Sequence, residues 1–179
     1  KRAEISLKYA RVSLCSEHFV KFFQKRIKSV IQDYRMDGKL LLGLSGGKDS
    51  ASLLHALVEC GINVIPFHIN LGIGEYSERC ERICEELAAK VGIKLVVYRI
   101  FEEEGVTLED FKHTSYGRKI CSVCGTLKRY ILNKAGVEMG AAVATAHNLD
   151  DMASFILSCL VSGDFDQLLR LRPVLPPTH

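Results

Sequence analysis

The sequence predicts an α/β fold with a doubly wound, mostly parallel sheet, and three observations support this prediction. From residue 39 onward, short apolar runs alternate with segments of helical spacing, which implies right-handed crossovers between parallel strands. The apolar runs, such as residues 64–69, are nearly continuous, as in strands whose two faces are both covered by helices. Glycine-rich or polar residues follow these runs, at the positions where parallel sheets bind their ligands.

The first predicted element is an amphipathic helix over residues 16–34, which precedes the sheet. Its apolar residues recur at helical spacing; they are Phe19, Val20, Phe23, Ile27, Val30, Ile31 and Tyr34. Its other face carries lysines, which are Lys21, Lys25 and Lys28. Gly38 follows and breaks the helix. We therefore divide the chain into an N-terminal segment, residues 1–36, and an α/β domain, residues 37–179.

The α/β domain is predicted to alternate strictly between strands and helices. Strands are predicted at residues 39–44, 63–69, 94–100 and 141–146. Helices are predicted at residues 48–60, 76–91, 122–138 and 150–162. Because the carboxyl ends of parallel strands meet at one edge of a sheet, we expect the residues at the four strand ends to share one pocket. These residues are 45–50, 68–70, 99–100 and 145–148.

Composition narrows the class of protein. The chain has 179 residues, of which 47% are hydrophobic and 25% are charged, and these values are typical of a globular domain with a core. No apolar run is long enough to span a bilayer, and the first residues lack the pattern of a secretory signal. Seven cysteines without secretory features are typical of thiols or metal ligands rather than disulfides. We therefore expect a reducing, cytoplasmic location and no membrane partner.

A glycine-rich segment between the first strand of the sheet and its helix has the clearest chemical signal. It reads Gly43-Leu44-Ser45-Gly46-Gly47-Lys48-Asp49-Ser50. Backbone N–H groups at a helix N-terminus bind anions, the two adjacent glycines let phosphate oxygens approach the main chain, and the hydroxyls donate hydrogen bonds. The carboxylate of Asp49 suits a phosphate site only if Mg²⁺ lies between the two. The segment therefore predicts a site for phosphate and magnesium.

The spacing of this segment, called the loop below (residues 43–50), is neither that of a Walker A sequence nor that of the dinucleotide-binding fingerprint. It closely resembles the pyrophosphate loop, or PP-loop, of N-type ATP pyrophosphatases, whose sheet is Rossmann-like. The resemblance implies that ATP is cleaved between its α and β phosphates and that a substrate is adenylated.

A second polar motif follows the last predicted strand and reads Thr145-Ala146-His147-Asn148-Leu149-Asp150-Asp151. Carboxylates stabilise a helix N-terminus, which explains one of the two aspartates. Together with Asp49, the two could instead hold Mg²⁺ against pyrophosphate. For His147, a structural role and a functional role are equally compatible with the sequence.

Cys121 and Cys124 stand three residues apart near the start of a predicted helix, so their sulfurs lie on one side of it. Zinc, iron–sulfur and redox sites all use this spacing, and the pair alone does not distinguish them. Lys128 lies on the same helical face and points to the same place. Cys15 and His18 form another pair, but they provide only two of the four ligands that a zinc site needs.

Basic residues concentrate in two parts of the chain. Residues 1–38 contain more than twice as many basic as acidic side chains, and residues 112–134 contain no acidic one. The basic residues of the second island are Lys112, Arg118, Lys119, Lys128, Arg129 and Lys134. Two such islands suggest a polyanionic partner larger than ATP, although a solvated helix face explains each island equally well.

Taken in order, four motifs resemble those of the TtuA-type tRNA 2-thiolation enzymes. They are the loop, residues 68–78 (H-I-N-L-G-I-G-E-Y-S-E), residues 121–130 (C-S-V-C-G-T-L-K-R-Y) and residues 146–151 (A-H-N-L-D-D). The related TtcA-type thiolases share the loop and the cysteine pair. The TtuA type begins with a zinc module that ends in C-x-x-H, as at Cys15 and His18. The first half of that module, a second zinc module and a third cluster cysteine have no counterpart here, so we expect the sequence to be a fragment.

The resemblance implies an ATP-dependent tRNA sulfurtransferase, which adenylates the C2 carbonyl oxygen of a tRNA uridine and replaces it with sulfur delivered through a 4Fe–4S cluster. The implied catalytic residues are Asp49, Lys128, Asp151, Cys121 and Cys124, the two cysteines being cluster ligands. The implied ATP contacts are Gly43, Leu44, Ser45, Gly46, Gly47, Lys48, Asp49, Ser50, His68, Ile69, Asn70, Ala146 and Asp150, with Asp49 acting through Mg²⁺. Cys15 and His18 would belong to a Zn²⁺ site.

The resemblance also implies partners. The tRNA backbone would contact Lys21, Lys25, Lys28, Arg118, Lys119 and Arg129. A ubiquitin-like thiocarboxylate carrier is the typical sulfur donor, and a homodimer is the expected assembly. Two other functions remain open from the sequence. One is a synthetase or amidotransferase that adenylates a small carbonyl substrate before ammonia attacks, which needs neither the cysteine pair nor the basic islands. The other is a non-catalytic nucleotide-binding module.

Overall fold

The computed structural model describes residues 2–36, 38–108, 110–111, 120–169, 171–172 and 174–175. The strands are β1 (Ile5–Leu7), β2 (Val12–Leu14), β3 (Lys39–Gly43), β4 (Val64–Asn70), β5 (Val96–Arg99) and β6 (Ala141–Ala144). The helices are α1 (Ser16–Asp33), α2 (Lys48–Glu59), α3 (Gly74–Lys90), α4 (Ile100–Glu104), α5 (Ile120–Met139), α6 (Leu149–Ser162) and α7 (Phe165–Leu169). The chain divides into two compact units, Lys1–Thr145 and Ala146–His179.

The first unit contains a sheet of four parallel strands in the order β5–β4–β3–β6. The central strand β3 pairs with both β4 and β6, so that Leu41 lies opposite Ile65 on one side and Val143 on the other. The pairing of β4 with β5 ends at Asn70 opposite Arg99, the last residue of each strand. Since all four strands are parallel, their carboxyl ends lie at one edge of the sheet, as the sequence predicts.

Helices cover both faces of this sheet. Leu40 and Leu42 pack in a buried cluster with residues of α1, α2 and α3, whereas Leu41 packs in a second cluster with residues of α4 and α5. Both Leu41 and Leu42 are 0% exposed, although adjacent strand residues point to opposite faces. Burial on both faces explains the continuous apolar runs of the sequence, and the predicted doubly wound α/β fold is confirmed.

Two differences from the predicted elements have a physical cause. The third strand of the sheet, predicted at residues 94–100, is β5 and extends only from Val96 to Arg99, because only these residues pair with β4. Ile100, expected to end this strand, begins α4 instead. The antiparallel β1–β2 hairpin, in which Ile5 lies opposite Leu14, is not evident in the sequence, since three-residue strands are too short to show a period. The other predicted helices and strands agree with the structure to within about two residues at each end.

Helix α1 buries less of its apolar face than the sequence predicts. Ile31 is buried in the first cluster and Ile27 packs against it, but four other apolar residues are exposed, namely Val20, Phe23, Val30 and Tyr34. The lysines of the other face, Lys21, Lys25 and Lys28, are exposed as expected.

The second unit contains α6, which the sequence predicts, and the short helix α7, which it does not. Helix α6 ends at Gly163, whose backbone N–H donates to the carbonyl oxygen of Cys159, and Cys159 is buried. In the part of the chain that the structure describes, none of the helices combines the length and the apolar character that a membrane crossing requires.

Gly136 sets the distance between α5 and β6. A Cβ atom there would lie 2.6 Å from Cγ2 of Val143 and 3.1 Å from the carbonyl oxygen of Ala141. Replacing Gly136 with alanine should therefore lower the free energy of unfolding by about 1–3 kcal/mol, the usual cost of overpacking, as measured by denaturant unfolding. Gly125, in the same helix, is the matched control, because among the described residues a Cβ there approaches only the Arg129 side chain, at 3.6 Å. Gly125→Ala should be neutral or stabilising, and equal losses in both variants would contradict the prediction.

Candidate functional site

The loop connects the end of β3 to the start of α2 and is anchored in the core at Leu44. The backbone N–H of Leu44 donates to the carbonyl oxygen of Phe67 at 2.8 Å, and its side chain is buried in the cluster with α2 and α3. Two serine hydroxyls then hold the turn. Ser45 Oγ lies 3.1 Å from Ser50 Oγ, and Ser50 Oγ donates to the carbonyl oxygen of Gly47 at 3.1 Å. The loop is thus closed by its own side chains before any ligand binds.

Helix α2 begins at the loop, with Gly47 as its N-cap and Asp49 in its first turn. The first turn of a helix directs its backbone N–H groups toward its N-terminal end, where anions bind. Lys48 Nζ lies 2.8 Å from Asp49 Oδ1, and both side chains are well exposed. Cationic, anionic and N–H groups therefore meet at one place on the surface, as a site for phosphate and a divalent cation requires.

Gly46 brings the loop into close contact with α3. Its φ of 80° lies in the left-handed region, where side chains other than glycine are strained. A Cβ atom at Gly46 would lie 3.3 Å from Cγ2 of Ile83 and 3.5 Å from both the carbonyl oxygen of Cys80 and Sγ of Cys84. The sequence indicates glycine here for access by phosphate, and the structure adds a second reason, which is the closeness of α3.

His68, predicted to contact ATP, lies beneath the loop rather than on its surface. Its side chain is 4% exposed, and its Nδ1 lies 2.9 Å from the carbonyl oxygen of Leu44. Cys84 Sγ donates to the same oxygen at 3.5 Å, and burial raises the pKa of this thiol to about 12, so it remains a donor. Nε2 of His68 has no hydrogen-bond partner among the described residues. This geometry indicates that His68 supports the main chain of the loop.

Asn70 and Arg99, at the ends of β4 and β5, converge on Glu81 of α3. Asn70 Nδ2 donates to Glu81 Oε2 at 2.6 Å, and Arg99 donates through Nε and Nη2 to the two carboxylate oxygens. The three residues line a cavity of about 370 Å³, together with Glu78 and Arg82. Ile69 points to the other face of the sheet, where it packs against the cluster with α5. Of residues 68–70, only Asn70 therefore reaches this cavity.

The Glu81 carboxylate should make stability depend on pH. Burial by itself would raise its pKa, but hydrogen bonds from Arg99 and Asn70 lower the pKa overall. Because the folded-state pKa lies below the unfolded value of about 4.3, this stabilisation is present above the unfolded pKa and lost as the pH falls through the folded pKa. Thermal unfolding between about pH 6 and pH 3 should therefore show a steeper loss of stability in the unmodified chain than in Glu81→Gln. Equal slopes would contradict the prediction.

Helix α5, whose first turns contain the cysteine pair, is directed with its N-terminus toward the sheet edge where the loop lies. Gly136 of α5 packs over the start of β6, whereas Leu132, one turn earlier, contacts Gly43 at the end of β3, its Cδ1 lying 3.3 Å from a Cβ built there. Toward its N-terminus the helix therefore approaches the carboxyl ends of the strands. Cys121 and Cys124 occupy its first two turns; Cys121 is exposed, and Cys124 packs partly against the second cluster.

Tyr76 lies near the start of α3, the helix beneath the loop. The pKa of Tyr76 is raised, chiefly by its hydrogen bond with the Cys80 side chain and to a smaller extent by the nearby charge of Cys124. Cys80 is also the residue whose carbonyl oxygen approaches Gly46. The loop and α3 are therefore in close contact.

Each of the two predicted metal sites is represented in the structure by one pair of possible ligands. Cys121 and Cys124 present two thiols from one helix face, but the described residues contain no group of three or more His, Cys, Asp or Glu side chains that could hold a metal ion. Cys15 Sγ lies 3.2 Å from Nδ1 of His18, and Cys15 is buried. Each pair therefore fits as a part of a ligand set, and both the cluster and the zinc site stay predictions.

The predicted RNA contacts are only partly within the described residues. Arg129 is exposed, and so is Lys128, predicted to act in catalysis. Together with the exposed lysines of α1, these cations remain available to solvent. Arg118 and Lys119, together with Lys112 of the same island, lie outside the described residues.

In the second unit, Asn148 and Asp151 of the second polar motif form a capping box at the start of α6. Oδ1 of Asn148 accepts hydrogen bonds from the backbone N–H groups of Asp150 and Asp151, at 2.9 and 3.1 Å. Oδ2 of Asp151 accepts from the backbone N–H of Asn148 at 2.8 Å. Capping thus explains Asp151, the aspartate predicted to be catalytic, whereas the Asp150 carboxylate has no part in the capping box. The catalytic role of Asp151 and the ATP contacts of Ala146 and Asp150 stay predictions.

Sequence reasoning does not find Glu81 or its contact with Arg99 as part of the site. A usable signal exists: Asn70 and Arg99 both end strands with polar side chains, and a glutamate lies on the apolar side of α3. The pattern becomes informative only when the strand register places Asn70 opposite Arg99.

Comparison with known proteins adds independent information. The model of the ATP_bind_3 family, a PP-loop domain, matches residues 19–171. The chain is similar to tRNA-5-methyluridine(54) 2-sulfurtransferase of Pyrococcus horikoshii, with 38% identity over 180 residues, which cover 98% of this chain and 57% of that protein. The chain thus spans little more than half the length of this relative.

Two solved structures have a similar fold. The U34-tRNA thiolase NcsA from Methanococcus maripaludis, with its 4Fe–4S cluster, matches with a TM-score of 0.81 and 26% identity, over 99% of this chain and 61% of that one. The NH3-dependent NAD synthetase from Campylobacter jejuni matches with a TM-score of 0.61 and 15% identity, over 78% of this chain and 59% of that one. At 15% identity the second likeness concerns the fold alone.

Proposed function

The chain belongs to the PP-loop family, and from this premise we propose that it contains the ATP-binding and sulfur-transfer residues of a tRNA-uridine 2-sulfurtransferase. The observation that carries the proposal is the position of Cys121 and Cys124. The N-terminus of their helix is directed toward the sheet edge that also holds the loop, which supports a nucleotide site and a sulfur site within one region. Neither an ATP pyrophosphatase that uses ammonia nor a non-catalytic nucleotide-binding module needs a thiol pair there.

The loop would bind the phosphates of ATP. Its N–H groups and the N-terminus of α2 supply the positive field, and Ser45 and Ser50 supply hydroxyl groups that the loop already orders. Asp49 would act through Mg²⁺, which lies between its carboxylate and the phosphates. Asn70 would face the nucleoside from the end of β4. Because these groups are ordered before binding, little conformational entropy is lost when ATP arrives.

The chemistry begins when the O2 oxygen of the uridine attacks the α-phosphorus of ATP and pyrophosphate leaves. Lys128 would stabilise the negative charge that develops on the phosphate in this step. A sulfur nucleophile then attacks C2, and AMP leaves with the O2 oxygen. The atoms balance: ATP, uridine and sulfide give AMP, pyrophosphate and 2-thiouridine, the O2 oxygen leaving with AMP. The target base must leave its stack to reach the site.

Cys121 and Cys124 would provide two ligands of a 4Fe–4S cluster. When bound, such a cluster supplies the sulfur-transfer chemistry. The two cysteine residues themselves would position the sulfur site, because the N-terminus of their helix is directed toward the edge where the adenylated base would lie. Since Cys121 is exposed, the base could approach the pair from solvent. Cys15 and His18 would contribute to a separate zinc site.

The tRNA would bind through its phosphate backbone to the lysines of α1 and to Arg129. Such contacts give affinity and a strong dependence on salt but no base identity. We further propose a cytoplasmic location, a thiocarboxylate-bearing ubiquitin-like protein as sulfur donor, and a homodimer. The seven cysteines, free in the structure, and the names of the cytoplasmic tRNA 2-thiolation proteins among the relatives support the location.

One experiment tests the proposal directly. The full chain, purified without oxygen, is incubated with ATP, Mg²⁺, sulfide and unmodified tRNA. AMP, pyrophosphate and 2-thiouridine should form in equal amounts and only when tRNA is present. If AMP and pyrophosphate form with ammonia and a small carbonyl substrate in the absence of tRNA, the synthetase alternative is supported instead. ATP binding with no release of pyrophosphate under any of these conditions would support a non-catalytic module.

A further inference from the structure

Glu81 joins three elements at the edge of the sheet where the loop lies. It belongs to α3 and is 8% exposed. Its carboxylate accepts hydrogen bonds from Asn70, which ends β4, and from two nitrogens of Arg99, which ends β5. Because these two residues lie opposite each other in the sheet, one carboxylate holds α3 against both strand ends.

The Glu81 contact also fixes the orientation of Asn70. The amide nitrogen of Asn70 donates to Glu81 at 2.6 Å, and the amide oxygen accepts from the backbone N–H of Gly72 at 2.9 Å. Both ends of the amide are engaged, so rotation about its last bond would break two hydrogen bonds. Asn70 is therefore presented to the cavity in one orientation.

Glu81 lies within the stretch of α3 that supports the loop. The residue before it, Cys80, has its carbonyl oxygen 3.5 Å from a Cβ built on Gly46, and Cys84, almost one turn later, has its sulfur at the same distance. A movement of α3 away from the strand ends would therefore also remove the support beneath Gly46. The carboxylate thus couples the end of β4 to the loop through a single helix.

We propose that Glu81 is a positioning residue for ATP: it holds Asn70 and α3 in the arrangement that binds the nucleotide. It touches no reacting atom and acts through Asn70 and the loop. The inference rests on the proposed function because it takes ATP as the ligand. A site held in its binding arrangement loses less entropy on binding than one that must be ordered, so loss of this contact should weaken ATP binding more than it slows the reaction.

The test compares Glu81→Gln with Glu85→Gln in the full chain. Glu85 belongs to the same helix and is exposed, so it is a matched control. Glutamine has the shape of glutamate, but it has no charge and its NH₂ group replaces one of the two acceptor oxygens. It therefore cannot accept from both Nε and Nη2 of Arg99 through separate oxygens, as Glu81 does. We expect the Kd and KM for ATP to rise about tenfold in Glu81→Gln, the effect of losing a charge-assisted hydrogen bond. The kcat and the KM for tRNA should stay within about twofold, and Glu85→Gln should match the unmodified chain.

Arg99→Lys is the second variant, for use if Glu81→Gln does not unfold cooperatively. The Arg99 side chain is 42% exposed and also lies 3.6 Å from Glu102, so lysine there leaves no buried unpaired charge. It retains the charge but not the two-nitrogen contact, and the KM for ATP should rise a few-fold at unchanged kcat. An unchanged ATP affinity in a folded variant would overturn the inference. So would equal losses in ATP affinity, tRNA affinity and kcat, which indicate general damage to the fold.

The same measurements separate this inference from the proposed function. ATP binding is measured by calorimetry in the absence of tRNA, so it does not depend on thiolation. If the unmodified chain binds ATP but forms no 2-thiouridine, the proposed function fails, and the ratio of ATP Kd values still decides the role of Glu81. If the unmodified chain does not bind ATP, both the proposed function and the role of Glu81 are overturned.

Discussion

Replacing Cys121 with alanine is expected to lower 2-thiouridine formation by about a hundredfold or more, the upper range for damage to a metal site, while ATP binding stays unchanged. Cys121 is exposed, so its removal costs no core packing, and a loss of activity would reflect the thiol itself. Cys124→Ala should have the same effect on thiolation, with a small additional loss of stability because Cys124 packs partly against the cluster that contains Leu41. The measurement is a single-turnover assay without oxygen, with 2-thiouridine determined in digested tRNA.

Cys60→Ala is the control for this prediction. Cys60 is a half-buried free thiol like Cys124, but its sulfur lies between α1 and α2, where it donates to the carbonyl oxygen of Gln24 at 3.7 Å. Thiolation should continue in this variant. Release of pyrophosphate provides a second readout, since adenylation precedes sulfur addition and needs the loop rather than the cysteines. Full thiolation by Cys121→Ala would show that the sulfur chemistry is wrongly assigned, without affecting the assignment of the ATP site.

Replacing Gly46 with alanine is expected to destabilise the chain and to weaken ATP binding by about a hundredfold. A φ of 80° costs a residue with a Cβ atom about 1–2 kcal/mol. The Cβ would also press against Ile83 and the backbone of Cys80, and relief of that overpacking shifts the loop or α3 at a cost of about 1–3 kcal/mol. Because the N–H groups of the loop must keep their direction to bind phosphate, affinity for ATP should fall with the shift.

Gly61 provides the matched control for Gly46. Its φ of 73° lies in the same left-handed region, but a Cβ there meets nothing within 4 Å in the part of the chain that the structure describes. Gly61→Ala should therefore show the cost of backbone strain alone, about 1–2 kcal/mol in urea unfolding, with ATP affinity unchanged. If Gly46→Ala and Gly61→Ala were alike in both stability and ATP binding, the close approach of the loop to α3 would have no functional importance.

Much of the fold is predictable because burial on both faces leaves a strong pattern in the sequence. The runs around Leu41 and Phe67 are nearly continuous in apolar residues, since the parallel sheet lies between two layers of helices. The short hairpin β1–β2 and the helix α7 have no such pattern, because each has too few residues to express a period. The apolar face of α1 illustrates the opposite error: helical spacing predicts a wider contact than this structure buries.

The candidate site is predictable where its chemistry is local. Loop residues from Ser45 to Ser50 are adjacent in the chain, and Cys121 and Cys124 need only a helix to share a face. His68 is different, because the period of a strand does not reveal which neighbour its side chain meets. Only the structure shows that it turns under the loop to the carbonyl oxygen of Leu44.

The amino-acid sequence by itself determined the class of fold, the anion-binding loop and the cysteine pair, because each depends on residues close together in the chain. The tertiary structure alone decided which distant groups meet at the sheet edge: Glu81 with Asn70 and Arg99, Gly46 with α3, and the N-terminus of α5 with the end of the strands. Such contacts follow from strand register and helix direction, and those are set by the packing of the whole core rather than by any short segment.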